Sequence, residues 1–360
     1  MTFEQDKKYM QHCIDLAKLG EGYVSPNPLV GAVVLDKNAQ VVGTGYHKKY
    51  GEAHAEVNAL NDAGELAKGG TLYINLEPCS HFGKTPPCVN KVIESGIKRL
   101  VIGMVDPNPL VAGEGIRRAK EAGIEVTIGI LEKECKKLNE IFIKHVTQKQ
   151  PFIAIKTAST IDGKIATKTG SSKWITSDLA RLEVQGLRKK YDAILTGSGT
   201  VIADNPSLTC RIPGGRNPVR IIIDSELKTS SDSKVYHDDG TRVIIATSEN
   251  INNKTYPDNV EILKCPLVND KIDLHYLVNK LYEDQIASIL IEAGGVLNGA
   301  FIKNSLVDKF YFFIAPKILG DNQAKSIIEG FDITDINETP NLRFDEIKSL
   351  PPDIMIEGYF

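Results

Sequence analysis

Four residues in the first quarter of the chain, His54, Glu56, Cys79 and Cys88, could do metal-assisted chemistry together. One imidazole and two thiolates are the three protein ligands of a catalytic zinc, whose fourth position stays open for water. A structural zinc carries four Cys or His ligands, and only His81 stands nearby to supply another. Glu56, two residues after the histidine, reads instead as the proton carrier that a metal-activated water needs.

The elements around these residues must bring them to one point. Two residues apart on a helix means about 200° of rotation, so His54 and Glu56 share no helix face. They converge only in a first turn, which places the helix start at Gly51-Glu-Ala53 and its body from about Ala53 to Asp62. Cys79 and Cys88 flank a loop after strand Thr71–Leu76, and Cys88 opens the next helix, where the dipole favours a thiolate.

The same alternation extends through the first half. An amphipathic helix over Lys7–Gly20 stops at Ser25-Pro-Asn-Pro28. Strands Val30–Leu35 and Gln40–Tyr46 follow, joined at Asp36-Lys-Asn-Ala39. Strands Arg99–Met104 and Glu125–Ile130 alternate with helices Val89–Ser95 and Gly115–Ala122, and a helix from Glu132 to about Thr147 closes the half. This order predicts an α/β fold built of βαβ units, with a mostly parallel sheet covered on both faces.

The charged run Lys144–Gln150 before Pro151 marks a boundary, separating 1–147 from 151–360. In the second half, strands are expected at Phe152–Lys156, Ala193–Thr196, Val219–Asp224, Arg242–Ala246, Ser288–Glu292, Lys309–Ile314 and Ile354–Tyr359. Helices are expected at about Asp178–Tyr191, Leu274–Asp284 and Asn298–Asn304, with the polar stretch Ser225–Asp239 looping over the surface. The turns Thr196-Gly-Ser-Gly-Thr200 and Glu292-Ala-Gly-Gly-Val-Leu-Asn-Gly299 each follow a strand, where glycines let a phosphate approach backbone N–H groups. Neither is a dinucleotide fingerprint, so Asp224 at a strand end is weak ground for choosing NAD over NADP.

Composition narrows the class of protein. The 360 residues suffice for two cores, and 42% hydrophobic with 25% charged residues is ordinary for a globular chain. A net charge of -3 carries no basic excess for nucleic acid. The start lacks an apolar signal core and no run of ~18 apolar residues follows, so no membrane partner is expected. Two of the six cysteines sit at metal-ligand spacing and Cys13, Cys135, Cys210 and Cys265 are scattered, which suits a reducing cytoplasm.

His-x-Glu followed by Pro-Cys is the pattern of zinc nucleobase deaminases, here with a longer loop between the cysteines. The strings Pro26-Asn-Pro-Leu-Val-Gly31, His54-Ala-Glu-Val57, Leu76-Glu-Pro-Cys-Ser-His-Phe-Gly-Lys-Thr-Pro-Pro-Cys88 and Asp106-Pro-Asn-Pro109 go further. They closely resemble the deaminase half of the bifunctional deaminase/reductases of bacterial riboflavin biosynthesis, whose pattern includes the long loop. The resemblance implies a cytidine-deaminase-like fold and removal of the 2-amino group of a diaminopyrimidinone ribosylamine 5′-phosphate. Glu56 would move the protons beside one zinc per chain, and Asn27, His47, His81 and Lys84 would contact the substrate.

Lys156–Ala166, Ser171–Thr176, Thr200–Arg211 and the Glu292 turn resemble the reductase half of that family. This implies a dihydrofolate-reductase-like domain that uses NADPH to turn the ribosyl group into ribityl. Carried over by motif, Ala158, Trp174, Thr200, Asp204, Ser225 and the run Gly294, Gly295, Val296, Leu297, Asn298, Gly299 and Ala300 would contact the cofactor. Lys156, Ser172, Arg188, Leu208, Arg211 and Glu292 would hold the substrate, the two arginines as partners for its phosphate. Ala293 departs from the glycine usual in this turn. The family also implies a homo-oligomer, dimer or tetramer.

Two other readings compete. A zinc deaminase of nucleosides or tRNA leaves the second half without a task. A binding protein with a structural zinc leaves Glu56 without one.

Overall fold

The computed structural model describes residues 1–80, 87–108, 112–237, 239–251 and 254–360, and the chain divides into two compact units, Met1–Lys149 and Gln150–Phe360. No helix among the described residues is long and apolar enough to cross a membrane.

The first unit begins with α1 (Phe3–Lys18), entered through a capping box of Thr2 and Gln5. Then come β1 (Gly31–Leu35), β2 (Val41–Tyr46), α2 (Ala55–Ala63) and β3 (Thr71–Leu76). They are followed by α3 (Cys88–Glu94), β4 (Arg99–Met104), α4 (Glu114–Glu121) and β5 (Glu125–Ile128). The unit ends with α5 (Glu132–Leu138) and α6 (Glu140–Gln148).

Its strands lie in the order β2-β1-β3-β4-β5. The mostly parallel sheet expected from alternation is found only from β3 to β5. β1 runs antiparallel to both neighbours because a tight turn at Asp36–Gln40 folds it straight back on β2. The apolar residues of β1 and of the middle of β3 are fully buried, as both faces of a central strand should be.

One expected helix is two. The segment predicted over Glu132–Thr147 breaks at Asn139, a buried residue whose side chain reaches away to Leu29. Its Oδ1 accepts from the Leu29 N–H at 2.8 Å and its Nδ2 donates to the Leu29 carbonyl at 3.0 Å. Asparagine forms such backbone-like bonds at little cost, and the helix gives way to satisfy them.

The second unit opens with β6 (Phe152–Thr160), β7 (Lys164–Ala166), α7 (Asp178–Lys190), β8 (Ala193–Gly197), α8 (Ser198–Asp204) and β9 (Val219–Ile223). It continues with β10 (Val243–Ser248), β11 (Val260–Cys265), the small hairpin β12 (Leu267–Val268) and β13 (Lys271–Ile272), and α9 (Leu274–Glu283). β14 (Ser288–Ile291), α10 (Gly295–Lys303), β15 (Lys309–Ala315), β16 (Lys325–Ser326), β17 (Arg343–Leu350) and β18 (Asp353–Tyr359) complete it.

The main sheet runs β11-β10-β9-β8-β14-β6-β15-β18-β17, parallel except for the antiparallel β15-β18-β17 edge. β17 escapes the sequence reading because Arg343, Asp345, Glu346 and Lys348 interrupt its apolar residues, and it is an exposed edge strand.

The described part of the stretch Ser225–Asp239 is irregular and lies partly at the surface, as expected, but it also reaches into the fold, where Thr229, Val235 and Tyr236 are fully buried. Two charged residues, one on β9 and one just after it, draw the segment inward. Buried Arg220 donates to the Val235 carbonyl at 3.0 Å and to Asp239 at 2.7 Å. Asp224 accepts from the Lys228 N–H, the Thr229 N–H and the Thr229 hydroxyl.

Candidate active site

In the first unit, His54 is the N-cap of α2, in extended conformation, and Glu56 follows in the first turn. The break in dihedrals at the cap lets two residues that would diverge on a helix converge. α2 can lie against β2 because two strand residues there are glycine. A Cβ on Gly43 would stand 2.3 Å from the Ala59 carbonyl, and one on Gly45 2.4 Å from the Ala59 nitrogen.

Cys79 follows the end of β3, and Cys88 is the first residue of α3. The Cys88 N–H donates to the Cys79 sulfur at 3.3 Å, so the start of α3 supports a thiolate there. Ligand atoms of His54, Glu56, Cys79 and Cys88 all lie within 4.8 Å of one another. His54 Nδ1 is 3.7 Å from the Cys79 sulfur and 3.2 Å from that of Cys88. A tetrahedral zinc with ordinary bond lengths needs N···S separations of about 3.6 Å, so these donors fit the ion.

The electrostatics favour a thiolate at Cys79. A hydrogen bond from the Cys88 thiol holds Cys79 down to about 4, with His54 adding to the effect, and the same shared proton pushes Cys88 up. Glu56 is 2% exposed. Burial raises its pKa above the ordinary carboxylate value, against the opposing pull of His54. A carboxyl brought closer to neutrality exchanges protons more readily at physiological pH.

The walls of this site are tied to the sheet by side chains the sequence reading passed over. Asn75 on β3 accepts from the Gly31 N–H at 2.8 Å and donates to the Leu29 carbonyl at 2.9 Å. With Asn139 it clamps the peptides that follow Asn27. Buried Glu77 accepts from the backbone N–H groups of Asp106, Gly113 and Ile116, tying the segment after β4 to the ligand-bearing end of β3. An asparagine inside the apolar run Thr71–Leu76 was the legible signal. Asn139 and Glu77 left none, since their partners lie far away in sequence. Asn27 Nδ2 lies 3.2 Å from His47 Nε2, and His47 is 2% exposed. His81 and Lys84 lie outside the described residues.

In the second unit a cleft of about 1490 Å³ opens along the ends of β6, β8 and β14 and the start of α10. Lys156, Ala158, Ser172, Trp174, Arg188, Thr200, Asp204, Leu208, Arg211, Ser225 and Glu292 all line it. So do Gly294, Gly295, Val296, Leu297 and Ala300, but not Asn298 or Gly299. These two face the fold instead. Asn298 is fully buried and donates to the carbonyls of Ala293 and Ile327. Gly299 is glycine because a Cβ there would lie 1.9 Å from the Glu329 carbonyl oxygen.

Glu292, Arg188 and Lys156 form a partly buried ionic cluster on the cleft wall. Arg188 Nε and Nη2 donate to the two Glu292 oxygens at 2.7 and 3.0 Å, and Nη1 donates to the Thr209 carbonyl. Lys156 Nζ stands 3.7 Å from Glu292. Burial would raise Glu292, but the two cations overcome it and bring its pKa to about 2. Burial lowers the Lys156 ammonium, against the pull of Glu292. The expectation that both arginines grip a phosphate changes accordingly: the Arg188 fork is already engaged by a carboxylate. Arg211, on the rim, forms no ion pair among the described residues. Trp174 is 63% exposed and lies under the Arg181 guanidinium at 4.5 Å. Lys234 and the β12–β13 hairpin also line the cleft, though neither carried a motif.

Residues 3–104 match the family described as the cytidine and deoxycytidylate deaminase zinc-binding region, and residues 151–356 match the RibD C-terminal domain. The riboflavin biosynthesis protein RibD of Bacillus amyloliquefaciens is 45% identical over 354 residues, covering 98% of this chain and 95% of that protein. RibD of Aquifex aeolicus is 44% identical, covering 99% of each. Among solved structures, Acinetobacter baumannii RibD superposes with a TM-score of 0.89 at 36% identity, covering 99% of both chains. A diaminohydroxyphosphoribosylaminopyrimidine deaminase/5-amino-6-(5-phosphoribosylamino)uracil reductase from Thermotoga maritima does so with a TM-score of 0.89 at 40% identity, again covering 99% of both chains.

Proposed function

The chain belongs to the RibD family of riboflavin-biosynthesis deaminase/reductases, and on that premise we propose the two reactions its two units perform. Residues 1–147 deaminate 2,5-diamino-6-ribosylamino-4(3H)-pyrimidinone 5′-phosphate by hydrolysis. Residues 151–360 then reduce the ribosyl side chain with NADPH, giving 5-amino-6-(5-phospho-ribitylamino)uracil. The observation that carries this reading is the convergence of His54, Cys79, Cys88 and a buried carboxyl at one point.

His54, Cys79 and Cys88 would hold the zinc. When bound, the zinc supplies a water of lowered pKa as nucleophile at neutral pH. Glu56 takes the proton from the attacking water and passes protons to the ring nitrogen and the departing amine, so that ammonia leaves neutral. Its burial, which already favours the protonated form, suits the second half of that task. Asn27, His81 and Lys84 orient the base and its phosphate.

In the reductase, the reduced nicotinamide supplies the hydride, and the protein positions it against the sugar carbon. Lys156, steadied by Glu292, orients the sugar, while Ser172 and Leu208 flank it and Arg211 meets the phosphate. Ala158, Trp174, Thr200, Asp204, Ser225 and the open turn at Gly294 line the path of the cofactor. The preference for NADPH is supported by Asp224. A free carboxylate at this strand end would favour the ribose diol of NADH. Here it is 1% exposed and spent on Lys228 and Thr229, while Ser225 and Lys234 border the cleft. The same reading includes a cytoplasmic dimer or tetramer.

The test is NADPH oxidation by the purified chain given the diaminopyrimidinone substrate, with and without a zinc chelator. Zinc-dependent consumption of NADPH is expected. A Glu56→Gln chain should retain one zinc yet release no ammonia, and ammonia release by that variant would refute the role of Glu56.

A further inference from the structure

His47 follows β2 and is enclosed on every side. Its N–H donates to the Val30 carbonyl at 2.9 Å, and its ring stands edge-on to that of His54, with centroids 5.2 Å apart. Nδ1 lies 3.2 Å from the Ala53 carbonyl oxygen. A carbonyl only accepts, so this nitrogen carries a hydrogen. Nε2 lies 3.2 Å from Asn27 Nδ2, which only donates, so Nε2 carries none. Together the two contacts select one neutral tautomer.

The choice of tautomer fixes the amide of Asn27. With its Nδ2 held by His47, Oδ1 is the end left to a ligand, and among the described residues it has no hydrogen-bond donor. Asn75 and Asn139 hold the backbone of Leu29 and Gly31 just downstream, which fixes the position of the Asn27 segment.

We propose that His47 is a positioning residue for the deamination: in its Nδ1–H form it holds the Asn27 amide so that Oδ1 accepts from an N–H of the pyrimidine. The inference rests on the function proposed above. It moves His47 from contacting the substrate to acting through Asn27. A ring with an acceptor at that edge would meet oxygen against lone pair, so the device also selects for a base that presents donors there.

Long-range proton–nitrogen NMR of the zinc-loaded full-length chain, labelled at histidine, reads the tautomer without substrate. The neutral Nδ1–H form is expected at pH 7. An Nε2–H form or an imidazolium overturns the proposal, and this result stands even if the chain deaminates no pyrimidine, which would sink the functional reading alone. Kinetics then separate positioning from contact. His47→Leu, which offers Asn27 no acceptor, should raise KM for the diaminopyrimidinone about tenfold, the loss of roughly one hydrogen bond. Its kcat and zinc content should stay within about twofold, and His47→Gln, which restores an acceptor oxygen, should recover most of KM. The double variant His47→Leu/Asn27→Ala should bind no worse than Asn27→Ala. Additive losses would mean that His47 touches the substrate itself, and would overturn the proposal.

Discussion

Replacing Arg188 with methionine tests the ionic cluster in the reductase cleft. Arg188 and Glu292 have side chains only 11% and 10% exposed, so solvent screens their attraction little. The depression of Glu292 from its ordinary 4.5 to about 2 corresponds to roughly 3 kcal/mol of stabilisation of the charged form. Removing one partner of a buried pair costs about 3–5 kcal/mol in general. Lys156 remains 3.7 Å from Glu292 and compensates in part. The expected loss is therefore about 3 kcal/mol, at the low end of that range.

Urea unfolding followed by the fluorescence of Trp174, the single tryptophan, reports on this unit. The dependence on pH is the sharper check. In the unsubstituted chain the folded-state pKa of Glu292 lies below its unfolded value. Its contribution is thus complete above about pH 4.5 and fades as the pH falls towards about 2. In Arg188→Met most of that depression is lost and the folded-state pKa returns towards its unfolded value, so the penalty is full above about pH 4.5 and shrinks as the pH falls towards about 2. A loss under about 1 kcal/mol, the scale of an exposed ion pair, or one as large at about pH 3 as at neutral pH, would refute the reasoning. Adding Glu292→Gln to Arg188→Met removes the stranded charge and should recover part of the stability.

Asn139→Ala leaves the Leu29 N–H without its acceptor and should cost about 1–3 kcal/mol, read by thermal unfolding, together with a higher KM for deamination as the Asn27 segment loosens. Gly299→Ala drives a methyl into the Glu329 carbonyl and should destabilise by about 1–3 kcal/mol or more. Gly294→Ala meets nothing within 4 Å, so its stability should change by less than about 0.5 kcal/mol, and its effect should appear in NADPH affinity measured by titration calorimetry. Chelating zinc should abolish ammonia release yet leave NADPH oxidation with the deaminated substrate intact, because the cleft residues of the second unit include none of the zinc ligands.

The grouping of His54, Glu56, Cys79 and Cys88, a helix start close to His54, placed two or three residues early, and the succession of strands and helices were legible in the sequence, because each rests on neighbours within a few residues. A His-x-Glu pair can converge only at a helix start, and Cys88, after a proline, opens the next helix. Most of the second-unit residues carried over by motif line the cleft. What depended on distant partners could not be read. Asn139 breaks a helix for the sake of Leu29, and Arg220 pulls a polar segment into the core through Val235. Arg188 gives its fork to Glu292, more than a hundred residues away, instead of leaving it free for an anion. Asn298 and Gly299 carry the cofactor motif yet serve the packing of α10 on the Glu329 segment. Residue type and spacing determine which chemistry is possible. Which hydrogen-bonding groups stay free for a ligand is decided only when the fold has satisfied the buried ones, since an unpaired polar group in the interior costs more than a local preference can repay.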